Sequence, residues 1–136
     1  MNFLARREHS RAELARKLVS HGEPDEVEAL LDQLEQEKLL SNSRYVEMLA
    51  HARAGKHGSL RLKADLRAKG VPDSEMAAAL EAARTQDLAA ARAVWQKKFG
   101  APANDAAERA RQFRFLAGRG FPVDVIARVI GGIDSE

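Results

Sequence analysis

The chain of 136 residues contains no cysteine, so disulfide bonds and thiolate metal sites are excluded. Aromatic residues make up only 5% of it, and valine, isoleucine and threonine are also sparse, which leaves little material for a β-sheet. No apolar run approaches the ~20 residues of a membrane-spanning helix. The N-terminal residues lack the apolar core and cleavage site of a signal peptide. From these absences we expect a soluble, cytoplasmic protein.

Catalytic motifs are also missing. The histidines are His9, His21, His51 and His57. None of them stands in a two-histidine i,i+4 motif with a carboxylate, and the chain has neither a phosphate-cradling glycine loop nor a serine elbow. Ser10 and Glu13 have the Ser-x-x-Glu spacing of a capping box, which explains this polar pair without catalysis. We therefore predict that the protein is not an enzyme and holds no metal.

The residues that dominate are alanine, leucine, arginine and glutamate, all of which favour helices. Glycine and proline, nine and four in number, are rare but regularly placed. Gly22, Gly70 and Gly120 are spaced by 48 and 50 residues. A proline follows each glycine by two residues, and a leucine precedes each by four: Pro24, Pro72 and Pro122, with Leu18, Leu66 and Leu116. Each glycine is predicted to end a helix in the left-handed conformation, and each proline to start the next helix.

This regularity predicts an all-α protein of three tandem three-helix repeats, with units at residues 1–40, 41–84 and 85–136. Such units bury little surface alone and depend on their neighbours, so we expect an elongated, curved helical array. Its first element would be a short helix over residues 2–8. Helix caps are expected at Ser10, at residues 41–43, at Ser59 and at Asp105. Eight residues before the glycine, Leu14 and Leu62 correspond to Gln112, so the third unit should pack differently, through Phe113.

Aromatic residues at helical spacing, Tyr45 with Leu49 and Trp95 with Phe99, are interpreted as core residues. Charge differs among the units: residues 1–40 carry a net −3, residues 41–84 carry +3 and residues 85–136 carry +2. An acidic first unit and basic later units suggest that one part of the chain meets an anionic partner.

The candidate contact residues are the cations of the two basic units. They are Arg53, Lys56, Arg61, Lys63, Arg67 and Lys69, together with Lys97, Lys98, Arg109, Arg111, Arg114 and Arg119. Some of these side chains would simply be solvated, and Asp65 is placed to form an intrahelical network with Arg61 and Lys69. Contacts of the remainder with phosphates would weaken with salt and carry little sequence preference.

Four segments resemble the bacterial recombination regulator RecX family: residues 7–14 with Lys17 and Leu18, and residues 58–70, 97–100 and 114–121. The chain departs from the family pattern at Ser41 and Asn42, where an acidic pair is usual. The resemblance implies three tandem three-helix repeats and no cofactor. It also implies binding to the RecA recombinase filament on single-stranded DNA, which lowers ATP hydrolysis, strand exchange and the co-protease activity behind the SOS response.

We therefore expect a monomeric, non-enzymatic regulator that acts in DNA recombination and repair. Its partners would be the RecA filament and single- or double-stranded DNA, bound with weak sequence preference, and it would not bind a membrane. An alternative is a sequence-independent DNA-binding protein that affects RecA by competing for DNA.

Overall fold

The computed structural model describes residues 7–131, which form seven α-helices and no β-strand. The helices are α1 (Arg11–Leu18), α2 (Pro24–Gln36), α3 (Asn42–Arg53), α4 (Ser59–Ala68), α5 (Asp73–Lys98), α6 (Ala106–Gly118) and α7 (Val123–Gly131). The predicted all-α class of tandem three-helix units is confirmed. The predicted helix at residues 2–8 lies mostly outside the described residues, and Arg7 and Glu8 are not helical.

Three separate hydrophobic cores follow one another along the chain. The first contains Leu14, Leu18, Leu31 and Leu40; the second centres on Tyr45, Leu62, Leu66 and Met76; the third contains Ala91, Leu116, Phe121 and Ile126. The leucine that precedes each repeat glycine by four residues is at most 2% exposed in all three units. Their helical spacing therefore predicted the buried stripes correctly.

Helix α5 is 26 residues long and belongs to two units. Its first half gives Met76 and Leu80 to the second core, and its second half gives Ala91 to the third. Residues 77–93 are rich in alanine and contain neither glycine nor proline, so nothing breaks the helix where the third unit was expected to begin. This shared helix packs against α3, α4, α6 and α7 and joins the second and third units.

Two of the three repeat glycines form tight corners between units. Gly70 and Gly120 have φ of +77° and +89°, as predicted. A Cβ at Gly70 would lie 2.4 Å from the Cβ of Ala12 in the first unit, and one at Gly120 would lie 2.4 Å from the Cβ of Arg61 in the second. Real Cβ atoms essentially never approach so closely. Each corner therefore requires glycine both for its backbone angle and for its contact with the preceding unit.

The prediction for Gly22 is wrong. Helix α1 ends at Leu18, and Gly22 is not among the glycines with positive φ. A Cβ there would meet only Glu26 and Val27 of the following helix, the nearer atom at 3.3 Å. Because no described unit packs on this corner, the contact that shapes the other two corners is missing.

The same repeat positions form both junctions. At the first junction, between the first and second units, Ser10 Oγ donates a hydrogen bond to the carbonyl of Lys69 over 2.6 Å. At the second junction, Gly58 N donates to the carbonyl of Arg119 over 2.8 Å, and Leu60 N donates to Gly120 O over 3.0 Å. Lys69 and Arg119 each immediately precede the corner glycine. The start of α1 thus packs on the glycine corner of the second unit, and the start of α4 packs on that of the third.

Helix caps follow the predictions where the cap is local. Ser41 Oγ accepts from Arg44 N over 3.1 Å, and Asp105 accepts from Glu108 N over 2.8 Å. Ser59 was predicted as the cap of α4, but Gly58 takes the N-cap position. Ser59 instead donates its backbone N–H to the carboxylate of Asp87 over 2.9 Å. Asp87 is only 3% exposed and comes from the middle of α5, so a residue distant in sequence satisfies this helix start.

Half of the predicted capping box at Ser10 is present. Ser10 Oγ accepts from Glu13 N over 3.0 Å, but the Glu13 side chain turns to Arg7 and Lys69 instead of the N-cap backbone. In the third unit, Gln112 stands where the other units have leucine and is 1% exposed. It accepts from Trp95 Nε1 over 2.9 Å and donates to Ala101 O over 3.2 Å. This unit therefore packs differently, as expected, with Phe113 against its core.

Replacing Gly58 by alanine should lower the free energy of unfolding by about 1–3 kcal/mol, as overpacking typically does. The added Cβ would lie 2.3 Å from the carbonyl oxygen of Gly120, although the φ of −91° at Gly58 suits alanine. Gly118→Ala is the matched control, because a Cβ there meets nothing within 4 Å. Urea unfolding followed by circular dichroism measures both variants. Equal stabilities would contradict the backbone contact between the second and third units.

Candidate partner-binding surface

Most of the candidate cations in the second unit are held by carboxylates. Asp65 binds two of them, Arg53 at 2.9 Å and Arg61 at 3.2 Å. Arg67 lies 3.3 Å from Asp73 in a pair that is exposed on both sides. Exposed pairs of this kind are worth only about 0–1 kcal/mol, so they lower the local charge more than they stabilise the fold.

Lys69 does not join Asp65 as expected. It is the C-cap residue of α4, so it extends toward the first junction, where its Nζ lies 3.5 Å from Glu13. Glu13 is 4% exposed and also accepts hydrogen bonds from Arg7. Burial by itself would raise the pKa of Glu13, but the hydrogen bond from Arg7 and the charges of Arg7 and Lys69 bring it below its usual value. Lys69 therefore contributes to holding two units together.

His9, another resident of the first junction, is also explained by structure. Its side chain is 1% exposed, with Nδ1 3.1 Å from the carbonyl of Arg7 and Nε2 3.0 Å from Lys17 Nζ. An ammonium group can only donate, so Nε2 is the acceptor and Nδ1 is the donor of a neutral ring. Burial, followed by the charges of Lys17 and Arg7, lowers the pKa of His9 and favours this neutral form. Its contacts secure the start of α1.

The remaining candidates have no carboxylate within salt-bridge distance among residues 7–131. They are Lys56 and Lys63 of the second unit, with Lys97, Lys98, Arg109, Arg114 and Arg119 of the third. Four of the six second-unit candidates are paired, whereas only Arg111 of the six third-unit candidates is paired, with Glu108 at 3.0 Å. The cationic charge that is available to a partner is therefore concentrated in the third unit.

Three of the six third-unit candidates, two of them without an ion pair among residues 7–131, lie over aromatic rings. Phe99 and Phe115 meet edge to face, with centroids 5.5 Å apart and planes at 87°. Lys98 Nζ and Arg119 Cζ lie 5.3 and 4.9 Å from the centroid of Phe115, and Arg111 Cζ lies 5.0 Å from that of Phe99. We call these five residues the ring cluster. Both phenylalanines are partly exposed.

Local sequence explains the ring cluster. Arg111, Phe115 and Arg119 are spaced by four residues, which places them on one face at the end of α6. Lys98 and Phe99 end α5, where cations interact favourably with the carbonyl end of the helix. Arg119 Nη1 also donates to the carbonyl of Lys56 over 3.5 Å, so the cluster borders the second junction. Because Arg119 immediately precedes Gly120, the position of its side chain depends on the corner at Gly120.

The interpretation of the aromatic residues as core residues is confirmed only in part. Tyr45 and Leu49 are buried in the second core, and Trp95 packs against the third. Phe99 instead packs on Phe115 and stays partly exposed. The basic–aromatic–basic spacing of residues 111, 115 and 119 was the sequence signal that could have identified this surface.

Two cavities occur beside the second unit. One, of about 500 Å³, is lined by Lys63 and Arg67 but also by Asp73 and Glu81, so its charge is mixed. The other, of about 630 Å³, lies between α3 and α5 and is lined mainly by alanine. It includes His57, whose Nδ1 is buried without a hydrogen-bond partner among the described residues. Burial, then the nearby arginines, lowers the pKa of His57.

Neither cavity gathers a set of residues with an evident reaction. Within residues 7–131, no group of three histidines or acidic residues is placed to hold a metal ion. None of the described helices is long and apolar enough to cross a membrane. The geometry therefore defines a tandem helical-repeat protein with an uneven cationic surface.

Comparison with protein families identifies this repeat architecture. Models of the first, second and third three-helix domains of RecX match residues 1–34, 41–80 and 85–130. The chain belongs to the RecX family, and this membership supports a regulatory role.

Curated relatives and solved structures agree. The regulatory protein RecX of Leptothrix cholodnii is 49% identical over 137 residues, covering 100% of this chain and 87% of the relative. That of Ralstonia nicotianae is 46% identical over 136 residues, covering 99% and 86%. The crystal structure of RecX from Lactobacillus salivarius is similar with a TM-score of 0.73 at 20% identity, covering 98% of this chain and 90% of that one. The structural likeness supports the fold alone.

The Glu13 cluster predicts a specific dependence of stability on pH. Because the folded pKa of Glu13 is lowered, its contribution is present above the carboxyl group's usual pKa and is lost as the pH falls through the folded value. Glu13→Gln should cost about 1–3 kcal/mol of unfolding free energy near neutral pH, typical of hydrogen bonds to charged groups. The cost should begin to shrink as the pH falls below the usual carboxyl pKa and should continue to shrink through the lower folded value.

Urea unfolding at a series of pH values measures this difference. Glu47→Gln is the control, because Glu47 is exposed on α3 and has no ion pair among residues 7–131. A Glu13→Gln penalty that stays constant at every pH down to the acid unfolding of the protein would show that the carboxylate charge does not hold the first junction.

Proposed function

We propose that this regulatory protein binds the RecA recombinase filament on single-stranded DNA and inhibits its ATPase, strand-exchange and co-protease activities. The observation that carries the proposal is the set of third-unit cations that have no acidic partner among residues 7–131, in a chain of the RecX family. A nucleoprotein filament offers the complementary charge, because nucleic-acid strands carry a phosphate on every nucleotide. The fold provides the array on which this charge is displayed.

The first unit supports a contact of the opposite sign. Arg11 alone lies within 2.6–2.9 Å of three carboxylates, those of Glu28, Asp32 and Glu35. These acids are each at least 41% exposed, so one arginine leaves the face of α2 acidic. An acidic face would be repelled by phosphates and is suited to a different surface of the filament. The chain would therefore contact its partner through two chemically distinct ends.

The alternative is a DNA-binding protein that only competes with RecA for DNA. The ring cluster supports this alternative because its cations could bind phosphates. Retention of RecA by the immobilised chain distinguishes the two when DNA is absent and salt is high. Retention supports a protein interface. Loss of all binding under these conditions supports contacts to DNA phosphates alone, because those contacts need DNA and weaken steeply with salt.

The direct test of inhibition is RecA-catalysed ATP hydrolysis on single-stranded DNA, titrated with this protein. We expect hydrolysis to fall as the protein is added at ratios to RecA below one. A chain carrying Gly58→Ala, checked for residual helicity, shows whether the intact array is required. Unchanged hydrolysis up to an equimolar ratio would rule out an inhibitor.

Alanine at both Lys63 and Arg67 should weaken filament binding and leave helicity intact. Both residues lie off the buried stripe of Leu62 and Leu66, and losing each phosphate contact reduces the salt slope of binding by about one. The charge-matched control replaces Arg16 and Arg128, which are exposed in the first and third units. Filament co-sedimentation measures both variants. Identical retention would show that α4 is only a solvated part of the scaffold.

A further inference from the structure

The ring cluster holds cations in a way that keeps their charge. A cation placed over an aromatic face is attracted to the ring by about 0.5–2 kcal/mol, yet the ring carries no net charge to cancel it. Lys98 and Arg119 share the ring of Phe115. Neither has a carboxylate within salt-bridge distance in the described part of the chain. The second-unit arginines at Asp65 are held differently, because they share one carboxylate that cancels one of their two charges.

One acid does enter the ring cluster. Glu108 accepts from Arg111 through Nε at 3.0 Å and Nη2 at 3.1 Å, a two-bond pair. The cluster with this acid still carries two net positive charges, from Lys98 and Arg119. These two cations are fixed on one ring, so the charge is positioned as well as uncompensated. A preorganised pair of cations binds an anion with less loss of side-chain freedom than two mobile lysines.

The rings add a second recognition element. Phe99 and Phe115 are partly exposed at the ends of α5 and α6. Nucleobases stack on aromatic side chains for about 1–3 kcal/mol each, and only an unpaired strand offers its base faces for this. An acidic protein surface would form ion pairs with the cations but would offer no bases to stack on the rings. Phe115 also packs against the third core, so it is the exposed part of the two rings that a base would contact. The combination of fixed cations and partly exposed rings therefore favours nucleic acid over protein.

We propose that the ring cluster is a binding site for the phosphodiester backbone of a single nucleic-acid strand, with Lys98 and Arg119 contacting phosphates and the rings receiving a base. This inference rests on the proposed function in taking third-unit cations as contacts. It deepens that function by assigning DNA contact to this cluster and not to Arg53 and Arg61, the two arginines that share Asp65. It requires no RecA, so it can be tested separately.

The experiment is fluorescence anisotropy with a labelled oligothymidylate and with a duplex of the same length, using the full chain. The first variant carries Lys98→Ala and Arg119→Ala, and the charge-matched control carries Arg53→Ala and Arg61→Ala. Phe115→Leu removes the ring while it keeps an apolar side chain of similar bulk. Circular dichroism confirms that each variant is folded.

We expect the Lys98 and Arg119 variant to lose about tenfold or more in affinity for oligothymidylate and about 1.4 units of salt slope, roughly 0.7 for each phosphate contact on a single strand. The control should change by less than about threefold, because Asp65 holds both arginines in ion pairs and cancels one of their two charges. Phe115→Leu should weaken oligothymidylate binding by about fivefold or more and duplex binding by less, because both lose the positioned cations but only the strand also loses base stacking.

Several results would overturn the inference. One is a wild-type chain that does not bind oligothymidylate at low salt; another is an equal loss in the two charge-matched variants. Equal wild-type affinity for strand and duplex, with no effect of Phe115→Leu, would disprove the single-strand assignment. Normal oligothymidylate binding by the Lys98 and Arg119 variant, with lost retention of RecA without DNA, would make the cluster a protein contact. By contrast, intact strand binding without ATPase inhibition would sink the proposed function and leave this inference standing.

Discussion

The contact on which the rest of the structure depends is the close backbone approach at the two glycine corners. A Cβ at Gly70 or Gly120 would overlap the preceding unit, and each glycine also has a left-handed φ. These corners bring the start of α1 against the end of α4, and the start of α4 against the end of α6. The second corner also positions the ring cluster. The carbonyl of Arg119 accepts a hydrogen bond from Gly58 N, and the guanidinium of the same residue lies over the ring of Phe115.

The two basic units hold their cations by different means, and this difference separates scaffold from candidate contact surface. In the second unit, Asp65 and Asp73 bind three arginines and cancel two of their three charges, and Glu13 binds Lys69 at the first junction. In the third, Phe99 and Phe115 position cations without cancelling them. Net charge from the sequence ranked the second unit as the more basic. Ion pairing reverses that order for the charge that is available to a partner.

Much of the fold could be predicted because its signals are local. The leucine stripes, two glycine corners and the caps at Ser41 and Asp105 follow from spacing within one helix or turn. The errors share a cause, which is a partner distant in sequence. Asp87 replaces the expected cap at Ser59, and within residues 7–131 no unit packs on Gly22 to give it a tight corner.

The surface was less predictable than the fold for the same reason. Spacing could not show that Asp65 would bind Arg53 from another helix, twelve residues earlier in the chain. It could show that Arg111, Phe115 and Arg119 share a helix face, yet the meeting of Phe115 with Phe99 required two helices to be placed together. Pairing between helices, which no local pattern reveals, decides which cations remain available.

Hydrogen exchange of the chain, free and bound to RecA filaments on single-stranded DNA, tests the account most directly. The account predicts slower exchange of backbone amides at residues 97–100 and 111–119, where the ring cluster lies, and little change at the paired arginine Arg53. Slower exchange confined to the second unit, with residues 97–100 and 111–119 unaffected, would contradict it.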